Sequence, residues 1–312
     1  MKVLLTGAAG FVGSHLTERL LADGATVIGV DNYCTGRKVN LDEFSKHPRF
    51  RMIEADVSKS WKELGLENEK LDWVMHFASP ASPPKYFKLP IETMRVNSEG
   101  VYQGLELCKK TGAKFFYAST SEVYGDPLEH PQKESYWGNV NSIGVRSIYD
   151  EAKRFGEAMV YSYQREFQVD VRVIRIFNTY GPKMDPEDGR VVTNLMVQAL
   201  KKQPMTLYGD GLQTRSFQYV SDLIEGIVRL MNTNYTQPVN LGNPDEFTIL
   251  DFAKKVKSIT ATPSQFEYHP LPSDDPKQRK PDISIAKKVL DWSPKISLDQ
   301  GLEKSLVYFK NS

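Results

Sequence analysis

Short runs of β-branched and apolar residues alternate, through the first half of the chain, with longer stretches whose apolar positions recur every three to four residues. The short runs at 3–6, 26–31, 50–55, 73–77, 114–118 and 171–177 read as strands, and the stretches at 11–22, 93–110 and 149–168 read as helices. Strands and helices in strict alternation are the rhythm of βαβ units, so the expected class is α/β, a Rossmann-like doubly wound parallel sheet. After Gly181-Pro182 the pattern changes. Glycine and proline break the apolar runs at Tyr208-Gly209-Asp210-Gly211, Gly242-Asn243-Pro244 and His269-Pro270-Leu271-Pro272, which predicts a smaller, loop-rich lobe. A helix over 221–231 is expected to return to the sheet. The first domain is therefore read as 1–180 with a return over 213–241, and the C-terminal lobe as 181–312.

Composition narrows the classes. With 312 residues and 40% hydrophobic content, the chain can bury one large core and a smaller satellite. Forty basic against 39 acidic residues leave a formal charge of +1, which gives no footprint for nucleic acid and no polybasic membrane patch. A small-molecule partner is expected instead. Cys34 and Cys108 are the only cysteines, too few for a disulfide framework, and no Cys/His cluster has metal-ligand spacing, so no metal is expected. The opening Lys2-Val3-Leu4-Leu5-Thr6 turns polar too soon for a secretory segment, and no apolar run reaches spanning length, so the expected location is cytoplasmic.

The strongest local signal is Thr6-Gly7-Ala8-Ala9-Gly10-Phe11-Val12-Gly13, a GxxGxxG turn between the first strand and the first helix. There, glycines let backbone N–H groups and a helix N-terminus approach a pyrophosphate. Asp31 closes the second strand, followed by Asn32, Thr35 and Gly36. A carboxylate at that tip accepts from an adenosine ribose and repels a 2′-phosphate, which selects NAD over NADP. Arg37 reads either as a partner for such a phosphate or as a solvated loop cation. Asp56 and Val57 follow the third strand near the expected adenine, with a plain cap as the alternative for Asp56. Phe77, Ala78 and Ser79 follow the fourth strand and border the middle of the cofactor.

Tyr149 and Lys153 stand four residues apart on one helix face, so a phenol and an ammonium can meet one ligand. A free phenol is a poor base at neutral pH, and a nearby cation is expected to lower its pKa. His76 and His15 read as structural.

A dinucleotide turn, a strand ending in Ser119-Thr120-Ser121-Glu122 and a YxxxK helix together resemble the extended short-chain dehydrogenase/reductase family. Longer segments resemble the branch of that family that acts on UDP-glucuronate with loss of carbon dioxide. They are Ser79-Pro80-Ala81-Ser82-Pro83-Pro84, the run from Ser119 to Pro127, Asp188-Gly189-Arg190-Val191-Val192, the run from Gln213 to Val220 and Arg279-Lys280-Pro281-Asp282. The similarity runs almost from end to end. One departure, Ala152 where glycine is frequent, sits on a helix that accepts alanine well.

The resemblance implies that NAD oxidises C4 of the uronic acid, making a ketone β to the carboxylate. Carbon dioxide then leaves, C5 is protonated and C4 is reduced again, with no net redox change. It implies Tyr149 as base, Lys153 as its support, and Thr120 as hydrogen-bond partner of the C4 oxygen. On the residues alone Glu122 reads as a loop acid and Arg279 as a solvated cation in the charged run 274–282. The resemblance assigns both to decarboxylation and protonation instead. It adds Ala118, Thr179 and Arg190 to the cofactor set, and Arg190 and Arg215 are also candidates for the substrate diphosphate. Arg95, Ser121, Tyr163, Asn178, Tyr208 and Gln213 are further substrate candidates, several with packing or turn alternatives. A 4,6-dehydratase needs an acid where Ser121 stands, and a 4-epimerase needs no arginine for a carboxylate. A non-catalytic NAD-sensing module has no use for both Tyr149 and Lys153. Relatives pack helices like 93–110 and 149–168 into a dimer bundle, so a homodimer is expected.

Overall fold

The computed structural model describes residues 1–271 and 278–311. The turn expected at Pro272 and the start of the 274–282 run lie outside the described residues. Six strands carry the first half: β1 (Lys2–Thr6), β2 (Thr26–Asp31), β3 (Phe50–Glu54), β4 (Trp73–His76), β5 (Lys114–Thr120) and β6 (Val171–Ile176). The helices among them are α1 (Phe11–Ala22), α2 (Pro83–Lys88), α3 (Pro90–Thr111) and α4 (Ser147–Phe167). Helix α3 starts earlier than its apolar period indicates, because Pro90 occupies a first-turn position where a missing N–H costs nothing.

Beyond them come β7 (Thr179–Tyr180), α5 (Val191–Leu200), β8 (Met205–Tyr208), β9 (Thr214–Ser216), β10 (Gln218–Tyr219), α6 (Val220–Met231), β11 (Val239–Leu241) and β12 (Glu246–Thr248). Helix α7 (Ile249–Thr260), β13 (Phe266–His269), β14 (Gln278–Arg279), α8 (Ser284–Leu290) and α9 (Leu298–Phe309) follow.

The main sheet has seven strands in the order β11-β6-β5-β4-β1-β2-β3. All its pairs are parallel, which confirms the doubly wound α/β class. Alternation along β1 sends Val3 and Leu5 into one core and Leu4 into another, so both faces of the sheet are covered. The chain winds outward from β1 to β3, then crosses back to β4 and continues the other way. That reversal leaves a crevice at the carboxyl ends of β1 and β4, the place where such sheets bind ligands. Helix α6 packs on α1, and β11 adds itself beside β6. In a separate three-stranded sheet β9 lies between β12 and β14, with Arg215 and Arg279 as parallel neighbours.

Candidate active site

Two features make the crevice fit a dinucleotide. Gly7 has φ +73°, and a Cβ there would fall 2.8 Å from the backbone N of Ala78 on the facing loop. A Cβ on Gly13 would fall 2.0 Å from the Gly7 carbonyl, so only glycine lets α1 dock its first turn on the loop. Gly10 caps α1 without a side-chain bond, which leaves first-turn N–H groups for an anion beside Phe11 and Val12.

Asp31 lies at the end of β2, 8% exposed, and accepts from Ala9 N at 3.0 Å and Tyr33 N at 2.8 Å. Burial pushes its carboxyl up while these two N–H groups pull it down. A Cβ on Gly36 would lie 2.8 Å from Asp31 Oδ1, whereas Asn32 turns its own Oδ1 to Cys34 N. Thr35 is half-buried in the same loop. Arg37, half-buried, is not wholly solvated, because Nη1 donates to Tyr308 Oη on α9 at 3.2 Å. Asp56 Oδ1 caps its own turn through Ser58 N and Oγ, beside the buried Val57.

Thr6 Oγ1 accepts from Phe77 N and Ala78 N at 3.1 and 3.2 Å, so its own proton points to His76 Nδ1 at 3.2 Å. Burial, then the Lys153 charge, hold His76 down at about 3, a neutral structural ring. Ser79 Oγ accepts from Asn97 Nδ2 at 2.8 Å, while Asn97 Oδ1 is buried with no partner at the edge of the crevice. His15 bonds the Pro182 carbonyl at 2.9 Å, also a structural role.

The Tyr149/Lys153 row forms where α4 crosses the end of β5. Lys153 is 2% exposed and donates from Nζ to Ala118 O at 2.8 Å. Burial pushes its ammonium down to about 7, with Glu157 opposing. Nζ lies 5.8 Å from the Tyr149 ring centroid. The Tyr149 ring stacks parallel on Tyr86 at 5.4 Å. The expected lowering of its phenol pKa is absent from this structure. Burial and the Glu122 charge push it up, and the Thr120 hydroxyl and Arg190 pull it down only in part. The reason is that burial costs the phenolate more than its neighbours return.

Glu122 departs furthest from its loop-acid reading. Its carboxylate is held by Arg279 Nη1 on one oxygen and by Arg146 Nη2 at 2.6 Å on the other. Burial alone would raise it, but the two guanidinia hold it well below the usual carboxylate range. Arg279 is 2% exposed and also donates to Gly125 O at 3.2 Å, so it is no solvated cation. Asp150, buried beside Tyr149 with one orphaned oxygen, is pushed up by burial and by Glu122. Tyr86, Asn97, Arg146, Asp150 and Glu157 were not singled out by sequence. Only their packing identifies them.

The remaining candidates divide. Ser121 is 2% exposed next to Glu122, Thr179 donates to Phe177 O at 2.8 Å, and half-buried Asn178 accepts at its carbonyl from Gln218 N. Arg190 is anchored on Asp188 at 2.5 and 3.1 Å, close enough to act on Tyr149. Arg215, 9% exposed, donates to Thr214 O, and Gln213 donates to the carbonyl of the part-exposed Tyr208. Two do not join the cluster. Arg95 pairs with Glu99 on the exposed face of α3, and Tyr163 donates to Glu106 Oε1 at 2.6 Å across α3 and α4.

A glycine turn at a sheet reversal, with a buried Tyr/Lys pair facing it, defines a nucleotide-dependent oxidoreductase-type site. The family described as NAD dependent epimerase/dehydratase matches residues 3–242, and the chain belongs to it. UDP-glucuronic acid decarboxylase 1 of Arabidopsis thaliana is 52% identical over 311 residues, covering 100% of this chain and 70% of its own length. The Danio rerio UDP-glucuronic acid decarboxylase 1 is 51% identical over 308 residues, covering 99% and 72%. Within the wider family, the chain is thus one of the UDP-glucuronic acid decarboxylases. Among solved structures, UDP-glucuronic acid 4-epimerase from Bacillus cereus in complex with UDP-glucuronic acid and NAD superposes with TM-score 0.90 at 31% identity, over 100% and 99% of the two chains. UDP-glucose 4-epimerase from Thermotoga maritima gives 0.92 at 29%, over 100% and 99%.

Proposed function

We propose that this chain converts UDP-glucuronate to UDP-xylose, with NAD as cofactor, by C4 oxidation, loss of carbon dioxide, C5 protonation and C4 re-reduction. The observation that carries it is the clamp of Glu122 between Arg146 and Arg279 beside the Tyr149/Lys153 pair. A carboxylate-handling cluster next to a redox pair is what decarboxylation through a ketone requires.

NAD, when bound, supplies the oxidation and the later reduction at C4. Tyr149 takes the proton of the 4-hydroxyl and Thr120 hydrogen-bonds the same oxygen, then both steady the enolate left when carbon dioxide departs. Lys153 stabilises the phenolate and is held in place by the Ala118 carbonyl. Arg279 meets the substrate carboxylate and Glu122 positions the group that protonates C5. Arg190 and Arg215 serve the phosphates. In this reading 1–180 with its return over 213–241 is the NAD-binding domain and 181–312 the substrate lobe.

A homodimer belongs to the same proposal. Met94 and Tyr102 on α3 and Phe155 and Phe167 on α4 are all more than two-fifths exposed, an apolar surface suited to a second copy. Light scattering at the monomer mass counts against it. A cytoplasmic location is supported by the free thiols of Cys34 and Cys108, and cell fractionation checks it. The central test is carbon dioxide release from UDP-glucuronate by purified protein carrying NAD. Release supports the reading, whereas conversion to an epimer or a dehydrated sugar without release overturns it.

A further inference from the structure

Behind the catalytic row lies an ion pair that this chemistry leaves unused. Glu157, one helical turn beyond Lys153 on α4 and 8% exposed, accepts from Ser119 Oγ at 2.6 Å. Arg175 on β6 donates to its two oxygens from Nε and Nη2 at 2.9 and 2.7 Å. The same guanidinium reaches forward from Nη1 to Tyr124 Oη at 3.0 Å, and Tyr124 donates to Asn240 Oδ1 on β11 at 2.7 Å. Each contact lands beside a group of the site. Ser119 precedes Thr120, Tyr124 precedes the Gly125 carbonyl that Arg279 holds, and Lys153 shares the helix face of Glu157.

Burial disfavours the charged form of Lys153, and the groups packed around it do little to restore it. Tyr149 on α4 and Tyr117 on β5 are neutral phenols, and His76 on β4 is a neutral ring. Glu157 brings the opposing negative charge. Arg175 holds both oxygens of that carboxylate, which fixes it one helical turn from Lys153. A pair needed only to brace α4 on β6 gains little over apolar packing, so the charge itself calls for a role.

We propose that Glu157 is a positioning residue of the reaction, setting a negative charge one helical turn from Lys153 and, through Ser119, holding Thr120 against Tyr149. The proposal rests on Tyr149 and Lys153 acting as the redox pair. Activity needs the Lys153 proton, so it falls as pH rises through that ionisation. Removing the Glu157 charge moves the fall to lower pH.

The test is the pH profile of carbon dioxide release by the NAD-loaded enzyme. In Glu157→Gln the alkaline limb is expected about one pH unit lower, with kcat near pH 8 reduced about tenfold and the KM for UDP-glucuronate changed less than about twofold. Glu157→Asp, which keeps the charge, restores most of the limb. A Gln variant whose limb stays at the wild-type pH overturns the proposal, whether kcat is unchanged or falls equally at every pH. If that variant does not fold, the doubly neutral Glu157→Gln/Arg175→Gln chain takes its place, since it leaves no uncompensated cation, and a smaller displacement in the same direction is required of it. Wild-type protein that releases no carbon dioxide would refute the proposed function itself, a separate outcome.

Discussion

Arg279 and Glu122, 157 positions apart in the chain, meet as a largely buried ion pair two residues past the end of β5. Arg279→Gln leaves Glu122 to Arg146 and removes the cation assigned to the substrate carboxylate. Carbon dioxide release is expected to fall by about 100-fold or more, with a smaller loss of stability because Arg146 still compensates the buried Glu122 charge. C4 oxidation should survive, so the absorbance of reduced cofactor should still rise on adding UDP-glucuronate. Parallel loss of both signals would count against a role confined to the carboxylate.

Tyr149→Phe keeps the ring that stacks on Tyr86 and deletes only the hydroxyl. Turnover is expected to drop by about 10²–10⁴, the worth of a positioned base, with the melting temperature little changed. Full turnover in this variant would mean that another group takes the proton.

Burial gives Lys153 a folded pKa of about 7, below the 10.5 of an exposed lysine. Between those values the unfolded chain binds more protons than the folded one, so this group makes stability rise with pH. Lys153→Met should flatten the slope across that window by up to about 1.4 kcal/mol per pH unit. Melting curves of both proteins from about pH 7 to 10 check it, and identical slopes would show that the lysine titrates normally.

Gly13→Ala sets a methyl against the Gly7 carbonyl, a backbone atom with little room to move. Purified protein is expected to lose bound NAD, read by extraction and absorbance, while wild type retains it. Retention in the variant would mean that the turn does not receive the pyrophosphate.

The sheet and the Tyr149/Lys153 pair are legible because their signals are local. Alternation marks strands, and a four-residue spacing on an amphipathic helix places two side chains together. The seventh strand is not legible, since Val239–Leu241 is three residues long and becomes a strand only by pairing with β6. Nor is the clamp on Glu122. Arg146 and Arg279 look like any loop cations until β14 is laid beside β9 and α4 is set against β5. The same blindness to tertiary placement leads sequence reasoning to favour Arg95, whose partner Glu99 is only one turn away on a wet face.

The pairing of β14 with β9 has a metric consequence. Parallel neighbours stand about 4.8 Å apart, so Arg215 and Arg279 are fixed to each other as two jaws of one caliper. On the proposed roles, with Arg215 at the diphosphate and Arg279 at the uronic acid, both charged ends of one ligand would be held from adjacent strands. The relative placement of the two residues is therefore set by backbone pairing between segments more than sixty residues apart in the chain.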